Sequence, residues 1–100
     1  MITKLQRSAE FASKLRELPE QVQKKAHKQL KSLMQDFWHP SLHTEKLEGE
    51  TYEGEPVWSL RVDRRHRIKF IIRKEESAYF LITIGKHDIY RRWRDSWGTN

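Results

Sequence analysis

The fold is decided by the stretch Trp58–Tyr90, which reads WSLRVDRRHRIKFIIRKEESAYFLITIGKHDIY. Apolar and polar residues alternate along it in three runs, and a period of two is typical of strands with one buried face. Charged and small polar residues separate the runs, so each neighbouring pair can form a hairpin. The apolar positions are Trp58, Leu60 and Val62, then Ile68, Phe70 and Ile72, then Phe80, Ile82 and Ile84. The stretch therefore predicts three antiparallel strands.

The pairing of these strands follows from keeping charged residues off the apolar face. A register with the three-residue loop Arg64-Arg65-His66 does so, whereas a shift of one residue would bury Arg67 or Lys69. The second hairpin would turn at Glu75-Glu76-Ser77. The expected pairs are Trp58 with Ile72, Leu60 with Phe70 and Val62 with Ile68, then Phe80, Ile82 and Ile84 with Ile72, Phe70 and Ile68. This register predicts one continuous apolar face for the rest of the chain to cover.

Two helices are expected before the strands. The first begins after Ser8, a residue that favours the N-cap position, and Pro19 ends it and opens the second. The second helix should end near Trp38, because Pro40 disfavours helical geometry in the preceding residue. Their apolar stripes are Phe11, Leu15 and Leu18, and Val22, Ala26, Leu30, Leu33 and Phe37. The two helices are thus expected to form an antiparallel hairpin with one apolar face to bury.

The remaining segments complete an α+β fold. Residues 2–5 can form only a short edge strand, and residues 39–56, with two Gly and two Pro, are expected to form a loop. After Asp88, Trp93 and Trp97 recur at helical spacing and predict a short C-terminal helix, which would pack on the core or dock a partner. We therefore predict one small domain over residues 1–100, in the order β-α-α-β-β-β, with the edge strand and helical hairpin packed on an antiparallel sheet.

The composition favours an anionic partner. The chain has 20 Lys and Arg against 14 Asp and Glu, a net charge of +6 and a pI near 9.8. Such a small basic domain usually meets a polyanion or an acidic protein, although positive charge can also serve solubility alone. Without Cys there is no disulfide, thiolate metal site or Cys nucleophile. No apolar run approaches the ~20 residues that span a bilayer, and the N-terminus lacks a signal-peptide core, so we expect a soluble, cytoplasmic protein and no membrane partner.

One face of the predicted sheet is basic. The expected register places Arg61 opposite Lys69 and Asp63 opposite Arg67, with His87 on the same face nearby. Like charges directly opposite each other destabilise a sheet, and an anion would relieve them because guanidinium groups match phosphate oxygens. The alternative is that both long side chains simply reach solvent. The second helix offers the same choice between a solvated face and contact with a nucleic-acid backbone through Lys24, Lys25, Lys28 and Lys31.

Candidates for proton transfer are few. His87 is a possible proton donor, since only His titrates near neutrality without help, and Glu45 in the preceding loop is the available carboxylate base. The alternative for each is an ordinary surface residue. His39 and His43 are separated by Pro40 and lack a third ligand, so we expect no metal site and no cofactor.

The order of motifs resembles that of the RelE/ParE toxin superfamily. After the helical hairpin come E-x-L-x-G at Glu45, Leu47 and Gly49, then W-S-L-R-V, H-R-I-K-F and I-G-K-H-D-I-Y. The resemblance implies a toxin of a type II toxin–antitoxin pair. In the RelE/YoeB-like branch it implies a metal-independent endoribonuclease, or mRNA interferase, that cuts mRNA on the ribosome and so inhibits translation. In such enzymes the ribose 2′-OH attacks its own phosphodiester, leaving a cyclic phosphate and a free 5′-OH.

The resemblance also implies roles for single residues. Glu45 matches the general base of YoeB-like members and Arg67, in H-R-I, their transition-state arginine. His87 falls where those members have a general acid, and Tyr90 matches a C-terminal Tyr used for stacking or proton transfer. Arg61 lies on the strand that supplies another basic contact. The substrate-binding residues that we predict are Arg61, Lys69, Lys46 and Lys86.

The resemblance implies partners as well, and it leaves alternatives. The expected partners are a cognate acidic antitoxin, mRNA and the ribosome, with operator DNA contacted only through the antitoxin complex. A ParE-type toxin would instead bind DNA gyrase and do no chemistry, and the presence of both Glu45 and His87 argues against it. A catalytically inactive RNA-binding or regulatory module is the third possibility.

Overall fold

Two helices and five strands make up the part of the protein that the computed structural model describes, residues 2–86. The predicted α+β class and the order of the helices and last three strands are confirmed. The predicted C-terminal helix lies outside the described residues. The elements are β1 (Lys4–Arg7), α1 (Ala9–Glu17), α2 (Glu20–Gln35), β2 (Glu45–Tyr52), β3 (Glu55–Arg61), β4 (His66–Arg73) and β5 (Ala78–Lys86).

The strands form a single sheet in the order β1-β5-β4-β3-β2. Strand β1 is parallel to β5, and all other neighbours are antiparallel. The predicted N-terminal edge strand is confirmed, although it covers Lys4–Arg7 and not residues 2–5. Within residues 2–86 no helix has the length and apolar character to cross a membrane.

Helix α1 begins at a cap that is also tied to the sheet. The Ser8 hydroxyl accepts a hydrogen bond from the Phe11 amide at 2.9 Å, as the N-cap prediction requires. The same hydroxyl donates to the Ile82 carbonyl at 2.6 Å, and the Ser8 amide donates to the Leu81 carbonyl at 3.0 Å. The start of α1 is therefore fixed to β5, which places the helix on one face of the sheet.

Helix α2 ends earlier than its apolar stripe. Pro19 precedes its first residue with φ of −55°, which suits a helix start. The helix stops at Gln35 and not near Trp38, because Asp36 leaves helical geometry and its side chain accepts a hydrogen bond from the Trp38 amide at 3.0 Å. Phe37 still packs on the core, with its ring centroid 5.1 Å from that of Trp58.

The β3–β4 hairpin has a different register from the predicted one. Trp58 lies opposite Phe70 and Leu60 opposite Ile68, so the predicted pairs with Ile72 and Phe70 were wrong by two residues. Turn chemistry explains the difference, since Asp63 accepts hydrogen bonds from the amides of the residues that follow and closes the turn one residue earlier. A shift of two residues keeps every side chain on its face, so hydrophobic alternation could not detect it.

The β4–β5 pairing contains an extra residue. Ile68 lies opposite Ile84 as predicted, but Phe70 lies opposite Leu81, so Ile82 is the extra residue on β5. An extra residue reverses the alternation beyond it. The predicted pairing of Phe80 and Ile82 with the helix-facing residues of β4 was therefore wrong, and both lie with a second apolar cluster on the opposite face.

The predicted loop over residues 39–56 is mostly strand β2. It pairs with β3, Tyr52 lying opposite Glu55 across a two-residue turn. Both turn residues, Glu53 and Gly54, have positive φ, at 54° and 78°, which is the geometry of a tight type I′ hairpin. The prediction was wrong because polar residues dominate β2, an edge strand that buries little beyond Leu47.

Apolar clusters cover both faces of the sheet. The larger cluster joins the helices to one face, where Phe11, Leu33, Leu60, Ile68 and Phe70 are essentially inaccessible to solvent. A smaller cluster on the other face buries Leu47, Val57 and Ile71, with Tyr52, Phe80 and Ile82 packed against them. The single continuous apolar face of the prediction is thus incomplete. The second cluster occupies only one end of its face, and polar side chains occupy the rest.

Candidate active site

Strands β2, β3 and β4 bring Glu45 and Arg67 together on the sheet face that the helices leave open. Glu45 lies opposite Ser59 on β3, and Arg61, two residues further along β3, lies opposite Arg67 on β4. The Arg67 Nη2 atom is 3.6 Å from the Glu45 Oε1 atom. Two of the predicted catalytic residues therefore form an ion pair, and Glu45 belongs to the sheet and not to a loop before it.

The predicted charge pairs on this face need correction. Arg61 does not lie opposite Lys69, nor Asp63 opposite Arg67, because the β3–β4 register is shifted by two residues. Arg61 faces Arg67, and Ser59 faces Lys69. Two guanidinium groups thus lie directly opposite each other on neighbouring strands, and like charges in such a pair repel each other.

Arg67 is held in a fixed position by neutral acceptors. Its Nε atom donates to the Ser59 hydroxyl at 3.1 Å, and its Nη2 atom donates to the His43 carbonyl at 2.8 Å. Only 12% of its side chain is exposed, against 49% of the Glu45 side chain. Within residues 2–86, the Nη1 atom has no hydrogen-bond partner. The guanidinium group is thus oriented by its rear contacts and keeps donors for a ligand.

The surroundings make the positive charge of Arg67 costly. Burial lowers the pKa of its guanidinium group, the Glu45 carboxylate raises it, and the neighbouring charge of Arg61 lowers it, with a net decrease. An anion placed between the two arginines would favour both charges. On the β5 side, the residue opposite Arg67 is Gly85, and a Cβ atom added there would meet nothing within 4 Å among residues 2–86. Within those residues, the sheet therefore leaves space beside Arg67.

Arg61 extends the site toward the turn before β2. Its Nη1 atom is 3.4 Å from the His43 ring Nε2 atom, and its Nε atom donates to the Asp63 carbonyl at 3.4 Å. His43 has a left-handed backbone with φ of 47°, which directs its carbonyl to Arg67 while its ring lies at Arg61. His43 connects the two arginines.

The predicted substrate-binding lysines do not gather around Arg67. Lys69 lies on the same face, but its Nζ atom pairs with the Glu50 carboxylate at 2.9 Å. Lys46 lies opposite Trp58, and Lys86 lies opposite His66, positions whose side chains belong to the helix-covered side by strand alternation. His87 and Tyr90, the predicted acid and stacking residue, lie outside the described residues.

Two residues of the site were missed by sequence reasoning. Ser59 has the parity of Arg61 and Arg67, so a polar residue within an apolar strand was a signal that could have identified it. His43 contributes a backbone carbonyl, and a pattern of side chains cannot predict such a contact. No three His, Asp or Glu side chains converge as metal ligands in the described part of the chain.

The assembled groups suit chemistry at a phosphate ester. A half-exposed carboxylate can accept a proton from a hydroxyl group, and a guanidinium group that is already oriented can stabilise the negative charge that develops on phosphate oxygens. Because Arg67 is positioned before any ligand binds, little reorganisation is needed in the transition state.

Comparisons with known proteins find the same architecture in toxin structures. A RelE–RelB complex from Pyrococcus horikoshii matches with a TM-score of 0.70 at 12% identity, over 88% of this chain and 98% of that one. A YoeB/ParE toxin from Agrobacterium tumefaciens matches with 0.70 at 15% identity, over 85% and 99%. The isolated Escherichia coli RelE toxin matches with 0.63 at 17% identity, over 92% and 95%.

Comparisons of the sequence, in contrast, find no match. No protein-family model matches the chain, and no curated protein matches it. The likeness therefore resides in the arrangement of strands and helices and covers nearly the full length of the solved toxins. The chain has the fold of the RelE and YoeB toxins.

Proposed function

We propose that this protein is the toxin of a type II toxin–antitoxin pair and acts as an endoribonuclease on mRNA. The observation that carries the proposal is the contact between Glu45 and Arg67, which places a carboxylate beside an oriented guanidinium group on the open sheet face. A mostly buried arginine opposite a second arginine costs stability, which an anionic substrate would offset. The shared fold with RelE and YoeB toxins supports the same conclusion.

The proposed reaction is an in-line transesterification. Glu45 accepts the proton of the ribose 2′-OH, the 2′ oxygen attacks phosphorus, and the bond from phosphorus to the 5′ oxygen breaks. Arg67, assisted by Arg61, stabilises the charge on the non-bridging oxygens. His87 gives a proton to the departing 5′ oxygen, and Tyr90 stacks on a base or assists this transfer. The products are a 2′,3′-cyclic phosphate and a 5′-OH.

The proposed partners follow from charge and fold. The net charge of +6 suits RNA, the ribosome and an acidic antitoxin, and the similar Pyrococcus horikoshii structure is a complex of RelE with RelB. Operator DNA would be reached only through the antitoxin complex. Lys69 remains a proposed backbone contact, after exchange of its Glu50 partner for phosphate. With these partners, the protein would act in the cytoplasm.

The proposal is tested by inducing the protein and two site variants in a bacterial host. Glu45→Gln and Arg67→Lys should relieve growth arrest and abolish mRNA cuts in primer extension. The rate should fall by about 10²–10⁴-fold for loss of the general base and by about 10²–10³-fold for loss of a transition-state donor. Arg67→Lys keeps the charge, but one ammonium group cannot contact the Ser59 hydroxyl and the His43 carbonyl as the guanidinium does.

The control is Lys14→Gln, an exposed residue of α1 that pairs with Glu10 and contacts neither Glu45 nor Arg67. It should leave arrest and cleavage unchanged. Full toxicity of Arg67→Lys would contradict the catalytic assignment. Growth arrest with a DNA-damage response and intact mRNA would instead indicate a gyrase-binding toxin of the ParE type.

A further inference from the structure

A second basic site lies next to the candidate active site, in a cleft between α2 and the β3–β4 hairpin. The cleft has a volume of about 370 Å³. Of the predicted site residues within 2–86, it includes only Arg61. Its lining consists of Lys25, Lys28 and Gln29 from α2, Ser41 and His43 from the segment before β2, and Arg61, Val62, Asp63 and Arg64 from the hairpin.

The charges of the cleft are largely uncompensated. Lys25, Lys28, Arg61 and Arg64 bring four positive charges against one carboxylate, that of Asp63. The Asp63 Oδ1 atom is already engaged, because it accepts hydrogen bonds from the amides of Arg65 and His66 and lies 2.9 Å from the His66 ring. Within residues 2–86, the side chains of Lys25, Lys28 and Arg64 make no hydrogen bond or ion pair. These positive side chains would therefore stabilise an anion bound in the cleft.

A buried glutamine fixes the width of the cleft. Gln29 is 8% exposed, and its side-chain amide donates to the Ser41 carbonyl at 3.1 Å and to the Arg61 carbonyl at 2.8 Å. These bonds hold α2, the Ser41 segment and β3 at set distances without any ligand. The cleft differs in this respect from a row of solvated lysines. Folding already brings its positive side chains together, so a ligand does not have to order them when it binds.

The cleft is continuous with the Glu45–Arg67 site. Arg61 lines it and faces Arg67 across the sheet. His43 also lines it, while the His43 carbonyl accepts a hydrogen bond from Arg67 at 2.8 Å. A phosphodiester chain with one phosphate at Arg67 can thus pass His43 and Arg61 and enter the cleft with a neighbouring phosphate.

We propose that this cleft binds a backbone phosphate of the RNA substrate, beside the phosphate at which cleavage occurs. The inference rests on the proposed function, because it extends the same RNA across a second site. Lys25 and Lys28 act as point charges and Arg64 as a forked donor for phosphate oxygens. Continuity with the Arg67 site favours RNA over an acidic polypeptide, whose carboxylates would have no reason to align with the reacting position.

The test uses the full-length protein and RNA oligonucleotides with 2′-O-methyl groups throughout, which lack the attacking hydroxyl. The double variant Lys25→Gln/Lys28→Gln is compared with Lys24→Gln/Lys31→Gln, which removes the same charge from exposed positions of the same helix outside the cleft. Thermal melting establishes that both variants fold.

The cleft variant should bind a hexanucleotide on the order of tenfold more weakly than wild type at moderate salt, because a phosphate that is no longer neutralised keeps its counterions. Its slope of log affinity against log salt should fall by roughly 0.7 for each such phosphate. The control variant should change both quantities much less. A dinucleotide, too short to reach the cleft from Arg67, should bind wild type and both variants alike.

Other results would overturn the inference. Equal hexanucleotide binding by the cleft and control variants would do so, as would a wild-type protein that binds no hexanucleotide. Unchanged RNA binding with weakened binding of poly-glutamate by the cleft variant would assign the cleft to an acidic protein. If the wild type shows the cleft-dependent binding but never cuts mRNA, the endonuclease proposal fails while the phosphate site stands.

Discussion

Arg67 combines two properties that rarely occur together in one side chain. It is charged and mostly buried, and three oxygen atoms, from Ser59, His43 and Glu45, surround its Nε and Nη2 atoms. The neighbouring Arg61 lowers its pKa further after burial has done so. A charge buried in this way lowers the stability of the free protein, and a bound anion would offset that loss. This is the residue-level reason for proposing a phosphate ligand at Arg67.

Asp63 should make stability depend on pH. Burial raises the pKa of its carboxyl group, but hydrogen bonds from Arg65 and His66 outweigh burial and leave the pKa below its ordinary value. The carboxylate therefore stabilises the fold fully above its unfolded pKa of about 3.9, and this stability is lost as the pH falls through the lower folded pKa. The Asn side chain of Asp63→Asn cannot titrate. The free energy of unfolding of this variant should therefore be lower than that of wild type at neutral pH, and the difference should shrink below about pH 4.

Urea unfolding of wild type and Asp63→Asn between neutral and strongly acidic pH measures this difference. Arg64→Ala is the control from the same turn, because its exposed side chain makes no hydrogen bond within residues 2–86, and it should stay within about 0.5 kcal/mol of wild type. The free energies of unfolding of wild type and Asp63→Asn could instead differ by the same amount at neutral and strongly acidic pH. That result would show that the carboxylate charge does not stabilise the turn.

At the scale of elements, the β2–β3 hairpin depends on its turn. Gly54 has φ of +78°, where an L side chain is strained, and nothing else lies within 4 Å of an added Cβ atom. Gly54→Ala should therefore destabilise the protein by about 1 kcal/mol through the backbone alone. This corresponds to a fall in Tm of roughly 4–8 °C for a domain of this size.

Gly85→Ala is the matched comparison for Gly54→Ala. It also adds a methyl group that meets nothing within 4 Å in the described part of the chain, but Gly85 does not have a positive φ. Replacing a strand-interior glycine by alanine should stabilise by about 0.5–1 kcal/mol. Thermal melts of the two variants should consequently shift in opposite directions, and a shared direction would show that backbone conformation does not decide the effect.

The elements also show how far sequence reasoning reaches. Alternation placed Leu60, Ile68 and Phe70 correctly on the helix-covered face, because face membership depends only on parity. Register depends on the turn, and Asp63 moved it by two residues without any change of face. The pairing of charges was wrong for this reason, although Arg61, Arg67 and Lys69 do lie on the predicted basic face.

Two further features escaped prediction because their causes are not local. The extra residue Ile82 on β5 has its carbonyl bonded to Ser8, more than seventy positions earlier, so no window of sequence contains both partners. Strand β2 looks like a loop in the sequence because its polar residues face solvent or Arg67, and the Glu53-Gly54 pair is a weak turn signal. Consequently the residues alone offered Glu45 only as an available carboxylate, and the resemblance supplied the more specific prediction that it is the general base.

At the scale of the whole molecule, the second apolar cluster should be an integral part of the fold. Ile71 is fully buried within it, beside Leu47 and Val57. Ile71→Ala should lower the free energy of unfolding by about 2–5 kcal/mol, as truncation of a side chain in a close-packed core does. Ile82→Ala, which removes a half-buried side chain from the same cluster, should cost clearly less.

Urea unfolding followed by both circular dichroism and tryptophan fluorescence measures these costs. The two probes should give one coincident transition for wild type, since both clusters share the strands of one sheet. Equal and small effects of Ile71→Ala and Ile82→Ala would mean that this cluster adds little to stability.

The order of strands has a consequence for synthesis. Strand β1 is made first, yet its partner in the sheet is β5, and the amides of Thr3 and Lys4 both bond to the carbonyl of Ser77. A growing chain leaves the ribosome from its N-terminus, so β1 must wait for nearly the whole of residues 2–86 before it can pair. Contacts between such distant positions form late and slowly. A nascent or prematurely ended chain that lacks β5 therefore cannot pair β1 or attach the start of α1 to the sheet, and it should be a substrate for proteases instead of a finished domain.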